Sequence, residues 1–256
     1  MTSITLSAPV NLRDLGGIPI TGGRLRPRIA IRADDLATIT ETAAAALVRD
    51  GLTAVIDLRS DTEAAITGRG PLAGYPVSYH HLPLIAHVGA SMPKDSLALN
   101  HEHMGRMYTS MVSEAASQLV AALTVIADAE GSTAFHCSAG RDRTGVLAAV
   151  LLLTLGATDQ EIVADYGRTG PNMPAIVART RPVMAEMFAA LELNYDPTGD
   201  DGREGMGDLL EAGMEESMRM LLTALRAEHS DPLAPLYAAG LTDATVTRLR
   251  DRALGA

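Results

Sequence analysis

"STAFHCSAGRDRTGVLAAVLLLTLGA", residues 132–157, decides how the chain folds. A short β-forming run from Thr133 to His136 breaks at a polar segment containing glycine. An apolar stretch with no polar face then opens near Arg143 and runs to about Leu155. Strand, tight loop and helix in succession form one unit of a parallel sheet, and such sheets place their ligands at the carboxyl ends of the strands. At that end sits Cys137, the only cysteine in the chain. A lone thiol forms no internal disulfide, so its sulfur is either inert filler or a reagent.

The surroundings favour a reagent. The thiolate is the nucleophilic form of cysteine, and helix N-termini and nearby cations favour it. The helix opening at Arg143 directs its positive end at the loop, and the backbone N–H groups from Ser138 to Arg143 can curl into a nest for an anion. Gly140 permits angles and close approaches that a side chain would forbid. Cys137, Ser138, Ala139, Gly140, Arg141, Asp142 and Arg143 together ring a tetrahedral oxyanion. The Arg143 guanidinium clamps two of its oxygens while sulfur sits beneath the central atom. That describes a phosphate held for in-line attack. The Thr144 hydroxyl is placed to donate to the sulfur as it later leaves, and His136 organises the loop by hydrogen bonding.

Outward from this unit, the pattern is α/β. "RPRIAIRADDL" reads as a strand ending in a polar turn, and Thr40 caps a helix over Glu41 to Arg49 that closes at Gly51. "TAVIDLRS" (53–60) and "VSYHHLPL" (77–84) are further strands, and helices follow over 101–112 and 114–129. From about residue 158 the chain is helical. Met-rich amphipathic stretches at 174–193 and 206–228, joined by "DPTGDDGREG", read either as core helices or as a helical lid within 171–230. The expectation is one domain over 1–256, with a mostly parallel central sheet flanked by helices.

Composition excludes several classes. A net charge of -10, 3% aromatic residues and no tryptophan speak against nucleic acid and anionic membrane surfaces as partners. "VLAAVLLLTLGA" is too short to cross a bilayer, so no stable membrane insertion is expected, and a cytoplasmic location is the default, with export lacking a cleaved signal left open. "HEH" at 101–103 sets two histidines on different sides of a helix, which reads as exposed polar residues rather than a metal site. The chemistry calls for no metal and no cofactor.

"HCSAGRDRTG" resembles the H-C-x-x-G-x-x-R-[ST]-G signature of cysteine-dependent phosphatases, and the Asp before the Arg resembles the variant found in bacterial PtpB-type tyrosine phosphatases. "NLRDLGG" (11–17), "DLRSDTE" (57–63), "VADYGRTG" (163–170) and the terminal "AAGLTDATVTRLRDRAL" resemble that family's segments in the same order. The resemblance implies a protein-tyrosine-phosphatase-like fold with a lid. It also implies activity on phosphotyrosine, in some members extending to phosphoserine, phosphothreonine and phosphoinositides. A phosphorylated protein or a phosphoinositide is then the substrate.

Two departures stand out. The family's usual loop lysine is Arg141 here, in a chain whose only lysine is Lys94. Arg141 is expected to add charge at the pocket rim. The second concerns the proton donor for the leaving oxygen, which some relatives carry just after the strand resembling "HLPLIAH". Ala86 and His87 stand there instead, leaving Asp95 as a nearby substitute and Asp142, the position the resemblance favours, as the preferred acid. Asp57 and Arg59, at a strand end on the same sheet edge, either orient the arginine clamp, accept a proton, or form a supporting buried ion pair. Asn11, Arg13 and Asp14 with Gly16 and Gly17 read as a structural turn beneath the site, and Arg168 as a helix end or a contact to a second phosphate. Three rival functions remain: phosphoinositide or inositol phosphate hydrolysis, phosphate binding by an inactive pseudophosphatase, and arsenate reduction, which would need thiols the chain lacks.

Overall fold

A computed structural model of the chain describes residues 5–85, 100–190 and 214–255. Among the described residues seven strands appear in order: β1 (Arg13–Asp14), β2 (Pro19–Ile20), β3 (Gly23–Arg24), β4 (Ala30–Ala33), β5 (Leu52–Asp57), β6 (Ser78–His81) and β7 (Ser132–His136). The helices among the described residues are α1 (Glu41–Arg49), α2 (Asp61–Thr67), α3 (His101–Glu114), α4 (Ala116–Asp128), α5 (Asp142–Thr154), α6 (Asp159–Gly167), α7 (Met173–Ala190), α8 (Glu215–Glu228), α9 (Ala234–Ala238) and α10 (Asp243–Leu254).

The main sheet runs β1-β4-β7-β5-β6, with every pair parallel except β1 against β4; β2 and β3 form a separate hairpin. β7 is central and buried along its whole length. Its register sets His136 between Ala33 and Asp57, so β4, β7 and β5 end level with one another. The residues that follow each strand, Asp34, Cys137 and Leu58, therefore share one edge.

Alternation along the strands divides the core. Ile56 and Phe135 join one cluster with α3, α4, α5, α6 and α8, while Val55 and Ala134 join a second with Leu36, Ala44 and Leu72 on the other face. Two-sided burial is what a parallel sheet requires. α5 is buried from Arg143 to Thr154, as a helix apolar on all sides must be. Thr40 caps α1 by accepting from the Ala43 N–H at 3.2 Å, and Gly51 follows with a φ of 99°.

The Met-rich stretches separate in role. α8 buries Met218, Leu221, Leu222 and Leu225 and packs against α3 and α6, so it is a core helix. α7 borders the loop that follows β7: Thr180, Val183 and Met184 share a small cavity of about 10 Å³ with Asp35 and Ser138. Its Arg179 donates to Asp34, to the Ser7 hydroxyl at 2.9 Å and to the Asp35 carbonyl at 2.8 Å. The expected connection at 196–205 lies outside the described residues. No single described helix is long and apolar enough to cross a membrane.

Candidate active site

The loop from Cys137 to Arg143 leaves β7 and enters α5 within one tight turn, held from outside through its carbonyls. Asn11 donates to the Gly140 carbonyl at 3.1 Å and to that of Ala139 at 3.3 Å. Arg32 adds a bond to the Gly140 carbonyl at 2.9 Å, and the Asp35 N–H one to the Ser138 carbonyl at 3.1 Å. Among the described residues, no backbone N–H from Ser138 to Thr144 meets a protein acceptor. Peptide groups whose carbonyls are taken by the scaffold, with N–H groups unspent at a helix N-terminus, constitute an anion cup. Gly140 has a φ of 67°, and a Cβ there would lie 2.5 Å from the Ala33 carbonyl oxygen. Only glycine fits this contact.

Cys137 is 1% exposed, and the Thr144 hydroxyl donates to its Sγ at 3.3 Å. Nδ1 of His136 lies 3.3 Å from both the Leu36 N–H and the Cys137 carbonyl, and Nε2 faces Asp57 at 3.8 Å. Burial pushes this imidazole below its usual pKa, so it stays neutral and braces the strand end.

Arg143 is oriented by Glu63, a residue that sequence reasoning missed. Both guanidinium Nη atoms bond its carboxylate, Nη2 at 2.9 Å. Glu63 is 2% exposed and also closes the capping box of α2, accepting from the Ser60 N–H and hydroxyl at 2.8 Å, with Ser138 on its other oxygen. Burial alone would raise its pKa. The charge of Arg143 and the bonds from Arg143, Ser138 and Ser60 outweigh that and hold it at about 2. Burial likewise opposes the Arg143 charge, but Glu63 beside it keeps the guanidinium above its ordinary value. The signal was present as S-x-x-E directly after a strand.

Asp57 and Arg59 do not touch this clamp. They pair with each other at 2.6 Å, Arg59 reaches Asp35 at 3.1 Å, and Tyr79 donates to Asp57 at 2.7 Å. Despite the opposing effect of burial, His136, Arg59 and Tyr79 hold the Asp57 carboxyl well below its usual range. Of the roles open to this pair, the structure shows the buried ion pair, because Glu63, one turn further on, occupies the place beside Arg143.

Arg141 also departs from expectation. It is buried rather than at the rim, with Nε donating to the Tyr166 hydroxyl at 3.2 Å and lying 3.5 Å from Asp142. Asp142 opens α5, and its Oδ1 accepts from the Tyr108 hydroxyl. Asp95 lies outside the described residues. Beneath the loop, Asp165 accepts from Arg13 at 2.9 Å and Arg32 at 2.5 Å, and Arg13 holds Asn11 at 2.7 Å. The turn after β1 closes where Gly16 donates to Asp14 at 2.8 Å. Arg168 is an exposed cap of α6. His101 bonds Ser217 at 3.0 Å, and no cluster suited to a metal occurs among the described residues.

The sequence profile of the tyrosine phosphatase family matches residues 4–255. The chain is 28% identical over 205 residues to the triple specificity protein phosphatase PtpB of Mycobacterium tuberculosis, covering 70% of this chain and 73% of that one. It is 24% identical over 223 residues to a tyrosine-protein phosphatase of Nostoc commune, covering 87% and 73%. The mostly parallel sheet flanked by helices is the protein-tyrosine-phosphatase-like α/β fold. With the Cys137–Arg143 loop at the head of α5 and the family match spanning nearly its whole length, the chain belongs to the PtpB-type tyrosine phosphatase family and is a protein-tyrosine/dual-specificity phosphatase.

Proposed function

We propose that the protein hydrolyses phosphotyrosine in phosphorylated proteins, with phosphoserine and phosphothreonine as further substrates, through a cysteinyl-phosphate. What supports this is a loop whose N–H groups from Ser138 to Thr144 meet no protein acceptor among the described residues, next to a cysteine whose Sγ accepts from the Thr144 hydroxyl at 3.3 Å. The thiolate attacks phosphorus in line with the leaving oxygen. Arg143 and the loop amides stabilise the charge that spreads over the equatorial oxygens, and because they are already in place they cost little reorganisation. Asp142 gives its proton to the leaving oxygen as the P–O bond breaks, then takes one from the water that attacks the cysteinyl-phosphate. Thr144 stabilises the departing thiolate. Because Cys137 is only 1% exposed, the phosphoryl group must be carried inward, and a tyrosine ring reaches further than the methylene of serine.

Kinetics with aryl phosphates of good and poor leaving groups test the roles. Cys137→Ser should abolish turnover of both. Asp142→Asn should lower kcat on the poor leaving group by about 10²–10⁴-fold and leave the good one much less affected. Selective loss in Asp95→Asn, with Asp142→Asn affecting both esters alike, would transfer the acid role to Asp95.

A further inference from the structure

We propose that Tyr108 is a positioning residue for the acid step: by donating to Oδ1 of Asp142, it reserves Oδ2 for the proton that passes to the leaving oxygen. This rests on the assignment of Asp142 as the general acid.

With no proton on Oδ1 of Asp142, the hydrogen bonds have one consistent direction. Arg141 has donors alone, so the Tyr166 hydroxyl accepts from its Nε at 3.2 Å. The single proton of Tyr108 goes to Oδ1 of Asp142, so the 2.7 Å contact between the two hydroxyls must have Tyr166 donating. Arg141, Tyr166, Tyr108 and Asp142 therefore form a chain in which every proton points at one carboxylate oxygen. Successive donors polarise one another in a dry interior. Tyr108 is fully buried and Tyr166 is 1% exposed, whereas the Asp142 side chain is 28% exposed, so the chain opens to the site only at its end. Oδ2 meets no donor among the described residues. Burial, with the Asp142 charge beside it, lifts the Tyr108 phenol well above its usual pKa, so it donates without giving up its proton. The chain also accounts for Arg141, whose guanidinium is committed inward as the first donor.

The proton balance follows. The O–H bond on Oδ2 breaks as the P–O bond does, the proton and the bonding pair stay with the leaving oxygen, and Asp142 is left ionised with Oδ1 still held. When water attacks the cysteinyl-phosphate, Oδ2 recovers the proton. The Tyr108 O–H bond stays intact throughout.

The test compares Tyr108→Phe, Asp142→Asn and the double variant on phenyl phosphate and on a nitrophenyl phosphate. Tyr108→Phe should lower kcat on the phenyl ester about tenfold, the size of one hydrogen bond to a charged group, and largely spare the nitrophenyl ester. In the double variant the tyrosine change should add nothing to Asp142→Asn. Equal loss on both esters in Tyr108→Phe, or multiplied losses in the double variant, would overturn the proposal while leaving Asp142 as the acid. If Asp142→Asn itself shows no preference between esters, the acid assignment has failed and this inference with it. Should Tyr108→Phe not fold, Tyr166→Phe loosens the same chain one link back. Selective loss on the phenyl ester supports the proposal, and equal loss overturns it.

Discussion

Replacing Glu63 with glutamine keeps the shape of the side chain and removes the charge facing Arg143. The bond from Ser60 can persist, but a bidentate arginine fork needs two acceptor oxygens. Glu63→Gln should therefore lower kcat/KM on good and poor leaving groups alike, the signature of a lost clamp rather than a lost acid. It should also cost about 1–3 kcal/mol of stability in denaturant unfolding. Acid should act through the same residue. Above its ordinary value of 4.5, Glu63 is ionised in folded and unfolded chains, so its full stabilisation is present. As pH falls toward about 2 the unfolded chain binds the proton first, and that stabilisation is lost. His136 adds to the trend from higher pH: neutral in the fold, it loses stability once the unfolded imidazole charges below 6.5. Unfolding midpoints should fall in two stages with acidification, and Glu63→Gln should make the lower one shallower, the depressed Asp57 and Asp165 carboxyls supplying the rest. A midpoint independent of pH from 6.5 to 3 would contradict this reading. Glu63 was hard to assign from sequence because its two functions, capping α2 and facing Arg143, meet only after α2 folds back on the loop. Asp57 and Arg59 looked nearer to the site because they end the strand itself.

At the scale of the element, the β7–loop–α5 unit was legible because its physics is local. A buried strand, a positive-φ glycine and an apolar helix each leave a mark within a few residues, and α5 opens at Asp142, one residue before the expected start. Gly140→Ala tests the loop directly. A methyl group there meets the Ala33 carbonyl and the Asp34 N–H at 2.5 and 2.6 Å, on top of an unfavourable φ. The left-handed backbone alone costs about 1–2 kcal/mol. Activity should be lost while the far-UV circular dichroism spectrum persists; full activity would show that the loop does not need this approach to β4. In α5, Leu151 is completely buried, and Leu151→Ala should cost about 2–5 kcal/mol without altering leaving-group dependence. The Tyr108 contact was illegible for the opposite reason: Tyr108 lies 34 residues before Asp142, and nothing in the period of α3 distinguishes a core tyrosine from one that reaches a carboxylate.

Across the whole molecule, the sheet sets three strand ends level, and long-range arginine pairs tie distant segments to that edge. Asp165 in α6 holds Arg13 and Arg32 beneath the loop, and Arg179 in α7 holds Asp34 beside it. Sequence patterning gave the layers but not these ties, since an arginine on an amphipathic helix reads equally well as solvated. Arg179→Ala should speed amide exchange across α7 and leave β7 as protected as before; unchanged exchange in α7 would show that Arg179 does not anchor it. The central claim is covalent, and rapid quenching of a single turnover with an aryl phosphate, followed by mass spectrometry of the peptide carrying Cys137, tests it most directly. The account predicts a phosphoryl group on Cys137 that forms and decays at rates matching turnover and is absent in Cys137→Ser. Turnover with no adduct on that peptide, or persisting in Cys137→Ser, would contradict it.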